Sequence, residues 1–426
     1  MAAALRRFGA LLGLLGVLAA PPAEAAYDYP FTNPFEATVL GTPPQQRFVP
    51  QGPIPSVERE ITVFPDRDVP GPFWFMRGLN YTEALQDHAA PLIFLIAGTG
   101  STHNAAKSLG LQAAFYEAGY HAITLPSPTS PNFIVTASTT AIPGDLTQDA
   151  RDLLRVMRLI RDDVAARVPV GPISVAGYSL GGANALFVSR EDEATRDFRF
   201  QRVLLINPPV SLYNSTRILD HLLDDALANG DDTVEQMLDR VIRAIADVYA
   251  ANPNVEISED LLFSAYQRLA PQREQLGALI GFVFRLLSTN MLFAADVMTN
   301  RGYIVPKNRE LTAFSPLTQY FVVGNTVPFG DYIQDVFLPA QQKLNVGITF
   351  DKLVQEQTVS SLAAYVRAQP KIGLVTNADD IILEPGEIDQ LRDMFGDRAT
   401  IFPTGGHIGN TLHRDVVAAI VRFIDQ

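Results

Sequence analysis

The fold is decided by the sequence ISVAGYSLGG, residues 173–182. Its first residues resemble a short buried strand, and the residues from Ala183 onward favour a helix. Gly177, Ser179 and Gly181 lie between the two in the pattern Gly-x-Ser-x-Gly. A sharp strand-to-helix turn exposes a serine hydroxyl, and its strained backbone needs residues without side chains two positions before and after the serine. The pattern predicts that Ser179 is a nucleophile and that the N–H of Leu180, at a helix start, binds an oxyanion. The alternative is a glycine-rich turn that only packs a helix against a sheet.

Strands and helices alternate on both sides of this turn. Leu92–Ala97 is a continuous apolar run, as expected for a strand that is buried on both faces. Further strands are predicted at Val57–Phe64, Phe73–Met76, His121–Leu125, Val203–Asn207, Ile372–Thr376 and Ala399–Phe402, and helices at Asn104–Ala118, Leu146–Val164, Glu384–Met394 and His413–Ile424. This order predicts an α/β protein with a mostly parallel sheet and helices on both faces.

The alternation stops between Pro208 and about Gln369, where helical patterns replace strand patterns. One helix is indicated over Ile218–Leu227, and a second follows a capping box formed by Asp232 and Glu235. A third, over about Gln275–Met298, is apolar on most faces, but its charged residues argue against a membrane span. We predict an all-α cap at residues 212–365, inserted into an α/β core at 91–211 and 366–426. Residues 26–90 are expected to hold extended, proline-rich chain and the first strands.

The serine motif in this context resembles the α/β-hydrolase superfamily, in which the catalytic residues follow the chain order serine, acid, histidine. The resemblance covers about residues 90–211 and 370–426. It implies an acid after the strand that follows the cap, where Asp379 and Asp380 are adjacent. Spacing favours Asp380, and Asp379 is the alternative. It also implies a base at His407, which is flanked by glycines that let a substrate approach. His413 is the weaker candidate.

The same resemblance implies a second oxyanion donor after the strand that ends at Ala97, and the N–H of Thr99 fits this role. Gly98 and Gly100 could also begin a dinucleotide-binding fingerprint. However, His103 occupies the position of the third glycine, and no acidic residue ends the next strand. The sequence also lacks a phosphate-binding loop and any metal-ligand spacing. We therefore expect no cofactor and no metal.

Composition narrows the function further. The chain has 426 residues, 47% of them hydrophobic, and its formal net charge is 33 − 46 = −13. Such a surface repels phosphate backbones, so we expect no nucleic-acid partner. The absence of cysteine excludes disulfides, thiolate nucleophiles and cysteine-ligated zinc.

Residues 1–25 are typical of a secretory signal peptide. Arg6 and Arg7 precede an apolar stretch that is too short to span a bilayer, and Ala23-Glu24-Ala25 fits a cleavage site. The alternative is an uncleaved N-terminal anchor. We expect an exported protein, periplasmic or extracellular.

Together these features predict a serine hydrolase that acts on a small-molecule or lipid-like acyl substrate, most simply a carboxylic ester with an apolar acyl or alcohol part. The apolar residues of the cap are interpreted either as its own core or as an acyl channel and a surface for peripheral membrane contact. Two other functions stay open, a peptidase or amidase with the same residues and a non-catalytic binding protein.

Overall fold

The computed structural model describes residues 27–228 and 275–426, and of the chain between them only Gln236, Asp239 and Arg243. The predicted signal peptide, the capping box at Asp232 and Glu235 and the helix after it lie outside the described residues.

A single eight-stranded sheet organises the part of the chain that the structure describes, with strand order β1-β2-β4-β3-β5-β6-β7-β8. Strand β2 runs antiparallel to both neighbours, and the strands from β4 across to β8 are parallel. The predicted α/β fold class is confirmed. The strands are β1 (Ser56–Ile61), β2 (Leu79–Ala84), β3 (Ala90–Ile96), β4 (His121–Leu125), β5 (Val170–Tyr178), β6 (Val203–Ile206), β7 (Ile372–Asn377) and β8 (Ala399–Phe402).

The described helices begin before the sheet and continue to the end of the chain. Short 3₁₀ turns lie at Gly71–Phe73, Val359–Leu362 and Gly396–Arg398, and a π-helical turn lies at Ile333–Phe337. The α-helices are α1 (Pro34–Leu40), α2 (Ala106–Glu117), α3 (Pro131–Thr136), α4 (Leu146–Ala165), α5 (Leu180–Thr195), α6 (Leu212–Ala228), α7 (Leu276–Thr299), α8 (Thr318–Gly324), α9 (Phe329–Tyr332), α10 (Leu338–Leu344), α11 (Phe350–Glu356), α12 (Ala363–Ala368), α13 (Glu387–Phe395) and α14 (Arg414–Ile424).

Helices cover both faces of the sheet, as its central strands require. In β3, Phe94 and its alternate neighbours pack in one cluster with α4 and α5, whereas Ile93 and Leu95 pack in another with α2 and α14. Successive side chains of a strand point to opposite faces, so a strand that is apolar throughout must be buried on both. The continuous apolar run in the sequence reflects this double burial.

Between β6 and β7, the regular elements that the structure describes are all helical. Helix α7 has 24 residues, its most apolar 18-residue window has a mean hydropathy of 1.6, and it is the one described helix that is long and apolar enough to cross a membrane. However, 83% of its most apolar window is buried inside the protein, as in the core helix of a soluble domain. Its buried Arg285 contacts Asp220 at 3.3 Å and Asp224 at 2.9 Å, which anchors α7 to α6. The division of the chain into N-terminal segment, core and cap stays a prediction.

The strand expected at Phe73–Met76 is wrong. Gly71 and Pro72 begin a 3₁₀ turn there, and the second strand of the sheet is β2 instead. Strand β2 was not predicted from the sequence because its buried positions include the charged residue Glu83. Arg59 contacts the carboxylate of Glu83 at 2.9 Å, and Arg167 contacts it at 2.6 Å. A carboxylate with cationic partners can be buried, so the strand is buried although its sequence is not apolar throughout.

The N-terminal segment was expected to be extended, but it is not extended throughout. Helix α1 interrupts it, because the side chain of Asn33 accepts the N–H groups of Phe35 and Glu36, and Pro34 supplies the first helical position. Asparagine is a favoured N-cap residue and proline fits the first turn, where its missing N–H costs nothing.

Candidate active site

Ser179 lies in a strained turn between β5 and α5. Its φ is +54° and its ψ is −129°, a conformation that residues with side chains rarely adopt. A Cβ at Gly177 would lie 2.0 Å from the carbonyl oxygen of Gly181, and one at Gly181 would lie 2.1 Å from that of Ile96. Glycine is therefore required at both positions because backbone fills the space. This steric crowding explains the Gly-x-Ser-x-Gly spacing.

The side chains of Ser179, His407 and Asp380 meet at one edge of the sheet. They follow β5, β8 and β7, and the carboxyl ends of neighbouring parallel strands converge there. Asp380 can only accept, so His407 Nδ1 donates to it, at 3.0 Å from Oδ1 and 3.2 Å from Oδ2. The other nitrogen, Nε2, then accepts from Ser179 Oγ at 2.9 Å. The geometry forms a continuous path for a proton from hydroxyl to imidazole.

Asn207 also holds the carboxylate of Asp380. Its Nδ2 donates to Asp380 Oδ2 at 2.8 Å, and the N–H of Ile382 donates to Oδ1 at 3.2 Å. Asn207 directly follows β6, is 2% exposed and has a φ of +46°. Asn207 is not among the site residues predicted from the sequence. The signal available was an asparagine directly after a strand, a residue type that tolerates positive φ.

The neighbouring Asp379 does not contact the imidazole. It accepts the N–H groups of Gly405 at 3.2 Å and Gly406 at 2.9 Å, and so ties the end of β7 to the loop that carries His407. Burial raises the pKa of Asp379 above its usual range, although these two backbone donors lower it. The structure thus gives the adjacent aspartates different contacts, one with the histidine ring and one with the backbone beside it.

Two backbone N–H groups near the serine find no acceptor among the described residues. Leu180 is the first residue of α5, where an N–H lacks an intrahelical partner. In the part of the chain that the structure describes, the N–H of Thr99 also donates to no protein atom, while the next N–H, of Gly100, donates to Thr129 Oγ1 at 2.7 Å and fixes the loop. Both Thr99 and Ser179 border the same pocket. The two N–H groups fit an oxyanion-binding role.

A pocket of about 610 Å³, open to solvent, lies over Ser179. Helix α7 supplies an apolar wall, and the described lining residues include His407 but no aspartate, glutamate, lysine or arginine. One face of α7 thus lines the pocket, while its other faces pack in the protein core. The lining residues are Thr38, Gly98, Thr99, Ser101, Tyr178, Ser179, Leu219, Ile280, Val283, Phe284, Leu287, Ile381, His407 and Ile408.

The other histidines singled out in the sequence lie away from this pocket. His103 is buried with its Nδ1 2.6 Å from Thr82 Oγ1, and burial lowers the pKa of His103 to about 4. His413 caps α14 by accepting the N–H of Asp415, and its Nε2 donates to Asp28 at 3.0 Å. Neither lines the pocket, so neither is placed to deprotonate the serine.

Asp28, His413 and Asp415 form a group whose ligand atoms lie within 4.8 Å of one another, close enough to hold a metal ion. Arg414 already contacts Asp28 at 2.5 Å and supplies a cation there. None of these residues lines the pocket.

No protein-family model matches the sequence, and no curated protein is similar to it. Among solved structures, the chain is similar to the thioesterase domain from the curacin biosynthetic pathway, with a TM-score of 0.35, 15% identity and coverage of 82% of this chain and 95% of that one. It is similar to Est1E from Butyrivibrio proteoclasticus, with a TM-score of 0.35, 12% identity and coverage of 82% and 96%. A membrane phospholipase A described as a bacterial virulence factor gives a TM-score of 0.37, 15% identity and coverage of 82% of both chains.

These similarities are too distant to assign an activity or a substrate, and the fold rests on the topology itself. The sheet has β2 antiparallel beside a parallel run, and the serine lies in a strained turn between the fifth strand and the following helix. The strand order, this turn and the chain order of serine, aspartate and histidine identify the chain as a protein of the α/β-hydrolase fold.

Proposed function

We propose that the protein is a serine hydrolase that cleaves carboxylic esters with an apolar acyl group. The observation that carries the proposal is the hydrogen-bonded series from Ser179 Oγ through the imidazole of His407 to the carboxylate of Asp380, at 2.9 Å and 3.0 Å. A serine hydroxyl is a weak nucleophile, and an adjacent base held by a third group activates it.

The reaction runs through an acyl-enzyme. His407 Nε2 takes the proton as Ser179 Oγ attacks the acyl carbon, and the N–H groups of Thr99 and Leu180 stabilise the oxyanion, each worth about 3 kcal/mol. His407 then gives the proton to the leaving oxygen as the C–O bond breaks. Water then attacks the acyl carbon as His407 accepts its proton, and His407 returns that proton to Ser179 Oγ as the bond between the acyl carbon and Oγ breaks and the acid leaves. Asp380 keeps the imidazole in the required tautomer and stabilises its protonated form.

The pocket wall supports the substrate class. Ile280, Val283, Phe284 and Leu287 face the serine from α7, and each methylene of an acyl chain that they bury adds about 0.8 kcal/mol of binding. A peptidase or amidase with the same residues is the alternative. Among the residues that the structure describes, the pocket lining offers no carboxylate or ammonium group to bind a peptide terminus or a charged side chain, which favours the ester.

Hydrolysis of p-nitrophenyl esters from acetate to decanoate, beside matched anilides, tests the proposal. We expect ester turnover that disappears in Ser179→Ala and persists in Ser189→Ala. Ser189 is a buried serine of α5 whose hydroxyl contacts Tyr365. Turnover by Ser179→Ala at the wild-type rate would refute the mechanism. A preference for anilides would reassign the chain to amide bonds, and a chain that neither turns over esters nor reacts with a fluorophosphonate would be a binding protein.

We further propose that the protein is exported after cleavage of residues 1–25. Basic residues, a short apolar stretch and an Ala-x-Ala site support this, and the absence of cysteine is compatible with a large core that needs no disulfide. Mass spectrometry of the native protein should find a new N-terminus near Ala26. An N-terminus at Met1 would contradict cleavage.

A further inference from the structure

The loop that carries His407 is packed against α1, an element far away in sequence. A Cβ at Gly406 would lie 2.2 Å from the carbonyl oxygen of Pro34, and one at Gly409 would lie 2.0 Å from that of Ala37. From the sequence, the glycines beside the histidine are expected to let a substrate approach. At these two positions, glycine is instead required because the backbone of α1 occupies the space that a side chain would fill.

Hydrogen bonds join α1 and the residues just after it to the loop at His407 and at Gly409. The hydroxyl of Thr38 accepts the N–H of His407 at 2.9 Å and donates to the carbonyl of Pro34 at 2.7 Å. Two residues after α1 ends, Thr42 Oγ1 donates to the carbonyl of Gly409 at 3.0 Å. Both threonines are 4% exposed, so water does not readily replace either bond.

The loop needs such support because its backbone is left-handed on both sides of the histidine and strained at Ile408. Gly406 has a φ of +56°, and Ile408, a β-branched residue, has a φ of +51°. A non-glycine residue in this region costs roughly 1–3 kcal/mol and persists only where its surroundings enforce the conformation. Contacts with α1 help to hold the loop in this conformation.

The other side of α1 contacts the pocket wall. Val39 is buried in one cluster with Leu279 and Val283 of α7, and Phe35 packs against the same cluster. Helix α1 therefore lies between the helix that shapes the substrate pocket and the loop that carries the base.

From these contacts we propose that Thr38 is a positioning residue, through which α1 sets the imidazole of His407 on the Ser179 hydroxyl. This inference rests on the proposed function. Because the hydroxyl of Thr38 holds the backbone N–H of His407 itself, its loss displaces the imidazole from the serine without removing any group that reacts. Misplacement of a reacting group by about 1 Å costs up to roughly 100-fold in rate.

Three variants of the full chain separate positioning from general destabilisation. Thr38→Val removes the hydroxyl at nearly constant volume, and Thr38→Ser keeps the hydroxyl while removing the methyl group. Thr136→Val is the matched control, because Thr136 is 5% exposed and donates to the carbonyl four residues earlier, at 2.6 Å, as Thr38 does. It holds no N–H of the catalytic loop. The measurements are kcat and KM for p-nitrophenyl acetate, the second-order labelling rate with diisopropyl fluorophosphate, and thermal melting.

We expect Thr38→Val to lower kcat and the labelling rate by the same factor, about 10- to 100-fold, with KM changed less than about threefold. In Thr38→Ser, kcat and the labelling rate should lie within about threefold of the wild-type values. In Thr136→Val, both should lie within about twofold of wild type. Wild-type labelling by folded Thr38→Val, or a loss in Thr38→Ser as large as in Thr38→Val, would overturn the inference.

Should Thr38→Val fail to fold, Thr42→Val gives the second test. It removes only the bond to Gly409, and we expect a smaller loss of labelling, about three- to tenfold. Wild-type labelling by folded Thr42→Val, or a loss of labelling in Thr38→Ser larger than in Thr42→Val, would then overturn the inference. A wild-type chain that does not react with the fluorophosphonate at all would instead refute the proposed function, so the two failures are distinguishable.

Discussion

Replacing Asp380 with asparagine removes the charge that faces the imidazole and leaves the shape of the side chain. Asp380 is fully buried, and its Oδ1 lies 3.0 Å from His407 Nδ1. At that distance and an effective dielectric constant of about 20, a carboxylate stabilises an imidazolium by roughly 5 kcal/mol. The amide keeps a neutral hydrogen bond worth about 1 kcal/mol. The remaining 4 kcal/mol corresponds to roughly a thousandfold loss, at 1.36 kcal/mol for each tenfold.

The loss should appear in kcat, because the imidazolium forms only as the serine attacks. The assay is steady-state hydrolysis of a short p-nitrophenyl ester, with thermal melting to show that the variant is folded. Asp379→Asn is the matched control, since that carboxylate accepts two backbone N–H groups and does not touch the ring. It should retain at least about a tenth of the activity. The reasoning fails if Asp380→Asn keeps more than a tenth of wild-type kcat, or if Asp379→Asn loses as much.

Three further changes test steric, pocket and electrostatic features. Gly181→Ala forces a Cβ onto the backbone and should lower the free energy of unfolding by at least about 3 kcal/mol in urea titration, whereas Gly52→Ala, with open space around it, should change it by less than about 0.5 kcal/mol. Phe284→Ala enlarges the pocket and should raise the decanoate-to-butyrate ratio of kcat/KM at least about threefold, whereas Phe282→Ala, equally buried on α7 but outside the pocket, should leave the ratio unchanged. Burial raises the pKa of Asp149 well above its usual range, so the wild-type protein gains stability as pH falls through that pKa and loses it as pH rises. Asp149→Asn should therefore stabilise the protein at pH 8, and this gain should shrink towards pH 4. A gain in stability of Asp149→Asn that does not depend on pH would contradict the raised pKa of Asp149.

Local patterns in the sequence predicted the elements whose cause is local. The turn at Ser179 and the doubly buried β3 leave direct marks in the sequence, because backbone crowding demands glycine and double burial demands an apolar run. Strand β2 left no such mark, since buried Glu83 is satisfied by arginines from other elements. The turn at Gly71–Phe73 was missed because its aromatic residues resemble a strand although Pro72 begins a helical turn.

The candidate site was predictable only in part for the same reason. Chain order and spacing, taken with the family resemblance, directed attention to Asp380 and His407, but could not show which aspartate contacts the ring. Asn207 and Thr38 lie 173 and 369 residues away from the groups that they hold. Contacts over such separations depend on the completed fold, and a single sequence contains no pattern that marks them.

The most direct test of the account is to trap the acyl-enzyme. The protein is mixed with a short p-nitrophenyl ester, quenched in acid within milliseconds to seconds, digested and analysed by mass spectrometry, with Ser179→Ala treated in parallel. We predict one acyl group on the peptide that contains Ser179, and none on the same peptide of the variant. An acyl group carried by another residue, or ester turnover that continues in Ser179→Ala without one, would contradict the account.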